Sequence, residues 1–229
     1  MKNDYWKDYW KNLHEVNSQN LQVQVARTRD GKPIDEQTWL STIKFVETIL
    51  NLKKEDTFLD ACGGNGLFAS KFESSCQRVV VVDINAELLT NLTTNSPRIV
   101  TVHADLVSFL ESNTERFSKI LFYAGIQYFS EFEVTKIFTK FKEILEPGGV
   151  IFVGDIPNIH KRDSYLLEDN RFERYFDNLL EGKDTIGSWF TFDWLLNLSK
   201  YLKFESCELV VQPNNQIYSD FRFDALIRD

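Results

Sequence analysis

The feature that most limits what this chain can fold into is a rhythm. Five short apolar runs rich in β-branched or aromatic residues, at Thr57 to Leu59, Arg78 to Val82, Ile99 to Val102, Ile120 to Tyr123 and Val150 to Val153, are mostly divided by segments of helix length. Parallel neighbours need a crossover long enough to hold a helix, so this alternation predicts a parallel sheet covered on both faces. Glu131 to Leu145 reads as one crossover: Phe132, Val134, Ile137, Phe138, Phe141, Ile144 and Leu145 form an apolar stripe, stopped by Pro147-Gly148-Gly149. Ahead of the rhythm, Gln37 to Leu50 places Leu40, Ile43, Phe45, Val46 and Ile49 or Leu50 at near-helical spacing. Behind it, Asp193 to Tyr201 predicts a helix. Phe204 to Val211 and Asp220 to Ile227 then follow without a crossover, which implies an antiparallel hairpin. The expected fold is α/β, a Rossmann-like doubly wound and mostly parallel sheet of seven strands with an antiparallel C-terminal hairpin. Residues 1–36 read as an N-terminal extension capping the site, 37–229 as the domain, and Asp163 to Gly187 as an insertion over the carboxyl edge of the sheet.

Charge and composition narrow the partners. A formal net charge of -8, with Lys and Arg scattered, lacks the basic footprint that neutralising a phosphate backbone needs, so nucleic acid is not expected. No stretch approaches the roughly 20 apolar residues of a membrane span, and Met1 to Asn12 has no apolar run, so neither membrane insertion nor secretion is expected. Cys62, Cys76 and Cys207 lack C-x-x-C spacing, which predicts neither disulfides nor a metal site and suits a reducing cytoplasm.

Ligands of an open parallel sheet bind beyond the carboxyl ends of its strands. The loop after the first strand, Asp60-Ala61-Cys62-Gly63-Gly64-Asn65-Gly66, is rich in the residue that tolerates positive φ and close backbone approach, which suits a nucleoside-bearing cofactor. The second strand ends at Asp83, whose carboxylate can accept from both hydroxyls of a ribose, with Ile84 beside it. The third ends at His103-Ala104-Asp105-Leu106, placing Asp105 within reach of an adenine amine and Leu106 as amide donor or apolar cover.

The ordered set resembles the class I S-adenosylmethionine-dependent methyltransferase family: an acidic residue opening a Gly-rich loop, acidic ends to the next two strands, the turn Leu145-Glu146-Pro147-Gly148-Gly149 and the terminal hairpin. The resemblance covers Thr57 to the C-terminus and implies S-adenosylmethionine as cofactor. It places Asp60 and the loop backbone at the methionine amine, Gly63, Gly64 and Gly66 along the cofactor, Asp83 at the ribose and Asp105 at the adenine, with Tyr123 closing the set. Cys62 stands where the family's Asp-x-Gly-x-Gly-x-Gly pattern has its first glycine, and it reads as a spacer rather than a nucleophile. Tyr123-Ala124-Gly125-Ile126-Gln127-Tyr128 departs from the Asn/Asp-Pro-Pro-Tyr/Phe motif of enzymes that hold a planar amide or base nitrogen, which argues against such acceptors.

Val23 to Thr28 is similar to a segment ahead of the core in small bacterial methyltransferases, some linked to surface-glycan synthesis; by that analogy Arg27 pairs with the cofactor carboxylate. The aromatic run Tyr5-Trp6-Lys7-Asp8-Tyr9-Trp10 either closes over the site or anchors the extension. Asp155 and His160, beyond the fifth strand, are the weak candidates for a general base, and no metal is required. A small-molecule or glycan-type acceptor, methylated on oxygen or nitrogen, is expected. Two alternatives stand beside this reading. Gly64-Asn65-Gly66-Leu67-Phe68-Ala69 also satisfies the fingerprint of an NAD(P)-dependent oxidoreductase, and an intact loop also suits a non-catalytic cofactor-binding partner protein.

Overall fold

The computed structural model describes residues 2–13, 18–29, 31–92, 96–168, 171–184 and 186–229. Two helices, α1 (Lys2–Lys11) and α2 (Leu21–Gln24), a small hairpin of β1 (Thr28–Arg29) and β2 (Lys32–Pro33), and helix α3 (Glu36–Leu50) precede the sheet. The alternating core follows: β3 (Thr57–Ala61), α4 (Ala69–Phe72), β4 (Arg78–Asp83), α5 (Ala86–Thr90), β5 (Ile99–His103), α6 (Leu106–Ser112), β6 (Phe117–Tyr123), α7 (Glu131–Ile144) and β7 (Leu145–Pro157). Helices α8 (Arg162–Leu167), α9 (Arg171–Leu180) and α10 (Phe192–Tyr201) lead to β8 (Ser206–Val210) and β9 (Arg222–Arg228). The expected insertion is thus largely helical, made by α8 and α9.

The sheet has seven strands in the order β5-β4-β3-β6-β7-β9-β8. The first five run parallel, whereas β9 inserts antiparallel between β7 and β8. This is the expected α/β architecture with its terminal hairpin. After β5 the chain returns to the other side of β3, so the strand order switches direction between β3 and β6, and the crevice opens there at the carboxyl ends.

Each sheet face has its own core because side chains alternate along a strand. Val80, Val82, Ile120, Phe122, Ile151 and Val153 pack with the apolar stripe of α7 on one face. Phe58, Val79, Val81, Leu121 and Phe152 pack with α3 on the other. Local chemistry sets the helix ends. Asp35 accepts from the Thr38 amide to start α3, Asn51 ends it in the left-handed region, and Ser130 with Glu133 forms a reciprocal capping box on α7. Helix α7 stops at Ile144, and Leu145 already pairs with Phe117. The Pro147-Gly148-Gly149 turn is therefore an irregularity inside β7, before Val150 resumes the register opposite Lys119. No helix among the described residues is long and apolar enough to cross a membrane.

Candidate active site

The loop after β3 is shaped from below and from the side. The Gly63 amide donates to the Val82 carbonyl at 3.1 Å and the Gly66 amide to the Gly63 carbonyl at 2.9 Å, closing a tight turn. Gly64 and Gly66 adopt φ of +55 and +71. Asp83 then fixes the loop to β4: one carboxylate oxygen accepts from the Gly64 amide at 2.8 Å and the other from the Asn85 amide at 2.9 Å. Asn65 ties the loop outward, donating to the Leu21 carbonyl at 2.9 Å and to Gln24 Oε1 at 2.7 Å. That tie seats the segment after α2 on the loop, with Val25 Cγ1 only 2.8 Å from where a Cβ at Gly64 would stand.

Asp60 is 2% exposed, and its Oδ2 has no hydrogen-bond partner. Burial, and then the charge of Asp83, push its carboxyl up to about 7. Burial likewise raises Asp83. The Cys62 thiol is driven well above its ordinary value by burial and by the carboxylates of Asp83, Asp105 and Asp60, so it stays protonated and unreactive. Its φ is +60, the conformation a glycine would take there without cost. Ala124 after β6 and Asp155 within β7 share that backbone state, at φ +52 and +63. Two neighbouring strand ends and the irregularity in β7 beside them therefore turn alike around one crevice.

A cavity of about 1180 Å³, its solvent-open part included, occupies that crevice. Arg27, Asp60, Cys62, Gly63, Gly64, Asp83, Ile84, Asp105, Leu106, Tyr123 and Asp155 all line it. Gly66 does not line it; a Cβ there would collide with the Leu92 side chain, so this glycine serves the turn. His160 does not line it either. Its ring is exposed in the turn Ile159–Lys161, which removes the geometric ground for a base there.

Two site residues are more engaged than sequence reasoning anticipated. Asp105 Oδ1 accepts from the Val107 and Ser108 amides as the cap of α6, and Oδ2 pairs with Lys7 of α1 at 3.0 Å. Arg27 is fully enclosed: its guanidinium carbon lies 5.0 Å and 4.9 Å from the ring centroids of Trp39 and Tyr123, its Nη2 donates to Tyr123 Oη at 3.2 Å, and its Nη1 is 3.6 Å from Asp155 Oδ2. Arg27 Nε has no partner. Asp155 is 1% exposed; its amide donates to Asp224 Oδ1 at 2.7 Å, and its own Oδ1 accepts from Gln212 at 3.3 Å. Asp155 is flanked by Arg27 and by Arg222, each 3.6 Å from its Oδ2, so its carboxylate aligns the two guanidiniums.

The cavity also draws in residues that sequence reasoning passed over: Gln127, Tyr218 and Arg222. The signal for Arg222 was available, since Arg222 and Asp224 interrupt an otherwise apolar last strand, but period-two alternation made them look solvated. Strand β9 is interior, and both of its faces are covered. Helix α1 lines the cavity through Trp6, Lys7 and Trp10. Trp6 and Trp10 pack on Tyr128 with centroids 4.8 Å and 5.2 Å apart, and Asn85 Nδ2 donates to the Trp10 carbonyl at 2.6 Å.

Residues 58–149 match the family model of a methyltransferase domain. Over those residues the chain is similar to a methyltransferase domain, and its fold is that of the class I methyltransferases. Solved structures agree on the methyltransferase's fold. Magnesium protoporphyrin IX methyltransferase from Synechocystis with bound SAH superposes with a TM-score of 0.64 at 10% identity, covering 100% of this chain and 98% of that one. The N-methyltransferase NodS from Bradyrhizobium japonicum gives 0.60 at 14% identity over 85% and 98%, and an S-adenosylmethionine-dependent methyltransferase from Clostridium acetobutylicum 0.61 at 16% over 85% and 92%. No curated protein sequence matches. The competing dinucleotide fingerprint at Gly64 to Ala69 lacks its framework, since the second half of a dinucleotide fold continues in parallel strands whereas this methyltransferase ends in an antiparallel pair. The Synechocystis enzyme is also solved with bound SAM.

Proposed function

We propose that this methyltransferase transfers the methyl group of S-adenosylmethionine to oxygen or nitrogen of a small-molecule or glycan-type acceptor in the cytoplasm, with residues 1–36 capping the cavity. One observation carries the reading. Asp60 and Arg27 line the same cavity, and in each a buried polar atom, the carboxylate oxygen Oδ2 and the guanidinium nitrogen Nε, lacks a partner. Together they match the ammonium and the carboxylate of an amino-acid moiety, the end of the cofactor that a dinucleotide does not have.

The remaining residues fit the same occupant. Asp83, held between two amides, keeps lone pairs for the ribose hydroxyls, and Ile84 and Leu106 offer apolar walls for a purine. Asp105 reads the adenine amine when its Oδ2 exchanges Lys7 for that donor. When bound, the cofactor supplies an electrophilic methyl carbon on a sulfonium sulfur. The protein's share is then alignment and dryness: the rings of Trp6, Trp10 and Tyr128 exclude water at the mouth, and Tyr123, clamped by Arg27, fixes the wall beyond β6.

Calorimetric titration with S-adenosylmethionine, S-adenosylhomocysteine and NADH tests the proposal. Micromolar binding of both adenosyl ligands with none of NADH is expected. NADH binding alone would overturn it.

A further inference from the structure

The far end of the cavity holds a cation, Arg222, to which the proposed cofactor contacts assign no part. Arg222 has a side chain 7% exposed, and its Nη1 donates to Gln127 Oε1 at 3.0 Å and to the Asp155 carbonyl at 2.8 Å while lying 3.6 Å from Asp155 Oδ2. Its guanidinium carbon stands 4.7 Å from the ring centroid of Tyr218 and 5.3 Å from that of Phe221. Both hydrogen bonds leave from one nitrogen. Among the described residues Nη2 makes none, and buried Nε has no partner. The edge formed by Nε and Nη2 is the fork with which a guanidinium grips a planar anion of two oxygens, and a buried charged donor left unpaired is costly.

The local charge decides which anion. On the reading that Asp60 takes the cofactor's ammonium and Arg27 its carboxylate, Arg222 and the sulfonium face Asp155 alone. Two cations against one carboxylate leave a positive surplus. Asp224 beneath them cancels only part of it, because burial pushes its carboxyl up to about 7. A cationic acceptor would add to the surplus. A phosphate monoester, with a charge of roughly −1.5 to −2, would overshoot it beside Asp155 Oδ2. A single carboxylate matches both the charge and the planar fork.

We infer that the acceptor is a small carboxylic acid, a sugar acid included, whose carboxylate docks on the Nε and Nη2 edge of Arg222. Gln127 and Asp155 act as positioning residues that hold the guanidinium from its other side, and Tyr218 supports its face. This assignment rests on the methyltransferase reading above.

The test loads the protein with S-adenosylmethionine, which carries the sulfonium charge, and then titrates benzoate, phenylacetate and glucuronate, the matched amides, and inorganic phosphate. At least one acid binds, its amide binds roughly 10-fold or more weakly, and phosphate binds less well than the acid. Arg222→Gln removes acid binding while leaving S-adenosylmethionine affinity within about twofold, which also reports that the variant folds. Should that variant fail to fold, Arg222→Lys keeps the charge without the fork and loses roughly 10-fold in acid affinity. The inference is overturned if no acid binds, if amides or phosphate match the acids, or if acid binding is unchanged in both variants. Failure of S-adenosylmethionine itself to bind would instead sink the methyltransferase reading, at a step the acid titration does not touch.

Discussion

The two ends of the cavity are built from opposite materials. The end beside β3, β4 and β5 is acidic, with Asp60, Asp83 and Asp105 each at the carboxyl end of a strand or in the residue after the turn. The end beyond β6 and β7 is a cation pair, Arg27 and Arg222, strung across Asp155. The acidic end is assembled from consecutive parallel strands, so one crossover after another delivers a carboxylate to the same edge. The basic end is assembled across the whole chain, from position 27 to position 222, and needs the antiparallel insertion of β9 to exist. Sites of the first kind follow from topology. Sites of the second kind follow from packing.

Four experiments break or sharpen that contrast. The largest effect is expected at the acidic end from Gly64→Val, which places a side chain at positive φ against Val25 and the ligand. Binding of S-adenosylhomocysteine falls by roughly 100-fold or more in calorimetry, and stability falls by about 1 to 3 kcal/mol in urea unfolding. Unchanged affinity would move the cofactor off this loop. Asp83→Ala comes next, with affinity weakened roughly 10- to 150-fold through loss of hydrogen bonds to a charged group, about 1.5 to 3 kcal/mol.

A pH series is the third. Asp60, raised to about 7, is protonated below that value and ionised above it. Its ionised form is the one that holds an ammonium, so S-adenosylhomocysteine affinity rises from pH 6 towards pH 8, approaching about tenfold per unit well below the folded pKa. Stability of the free protein moves the other way. A carboxyl raised on folding favours the folded state at low pH, so its contribution is lost as pH climbs from about 4 to about 7. Asp60→Asn flattens both profiles; a profile identical to wild type would show that another group titrates. The smallest effect belongs to Lys7→Ala. The Lys7 to Asp105 pair is partly exposed and contributes about 0 to 1 kcal/mol, so affinity changes by less than roughly fivefold. A larger loss would mean that α1 itself touches the ligand.

How much of this was readable from the sequence follows the same division. The strands near Arg78 to Val82 and Ile120 to Tyr123 announce themselves because a strand buried on both faces must be a continuous run of apolar, β-branched residues. Asp60, Asp83 and Asp105 were legible because each ends such a run. Three features were hidden. The Pro147-Gly148-Gly149 turn looked like a boundary between helix and strand, yet Leu145 pairs with Phe117 before it, and a bulge has no signature in periodicity. Asp105 as cap of α6 and partner of Lys7 competes with its reading as an adenine contact, and a carboxylate at a helix start serves either purpose. Arg222 sits on an alternating strand whose polar positions normally face water, and what encloses it, Tyr218, Phe221 and Gln127, comes from loops that periodicity does not locate.

The three left-handed positions at Cys62, Ala124 and Asp155 carry a consequence for heat resistance. Each holds a side-chain-bearing residue in the left-handed region, a conformation that costs on the order of 1 to 3 kcal/mol apiece. Against a total stability of about 5 to 15 kcal/mol, that is a standing load placed at the rim of the cavity rather than in either core. A ligand that binds only the folded rim offsets part of that load, so a bound cofactor raises the melting temperature of the domain.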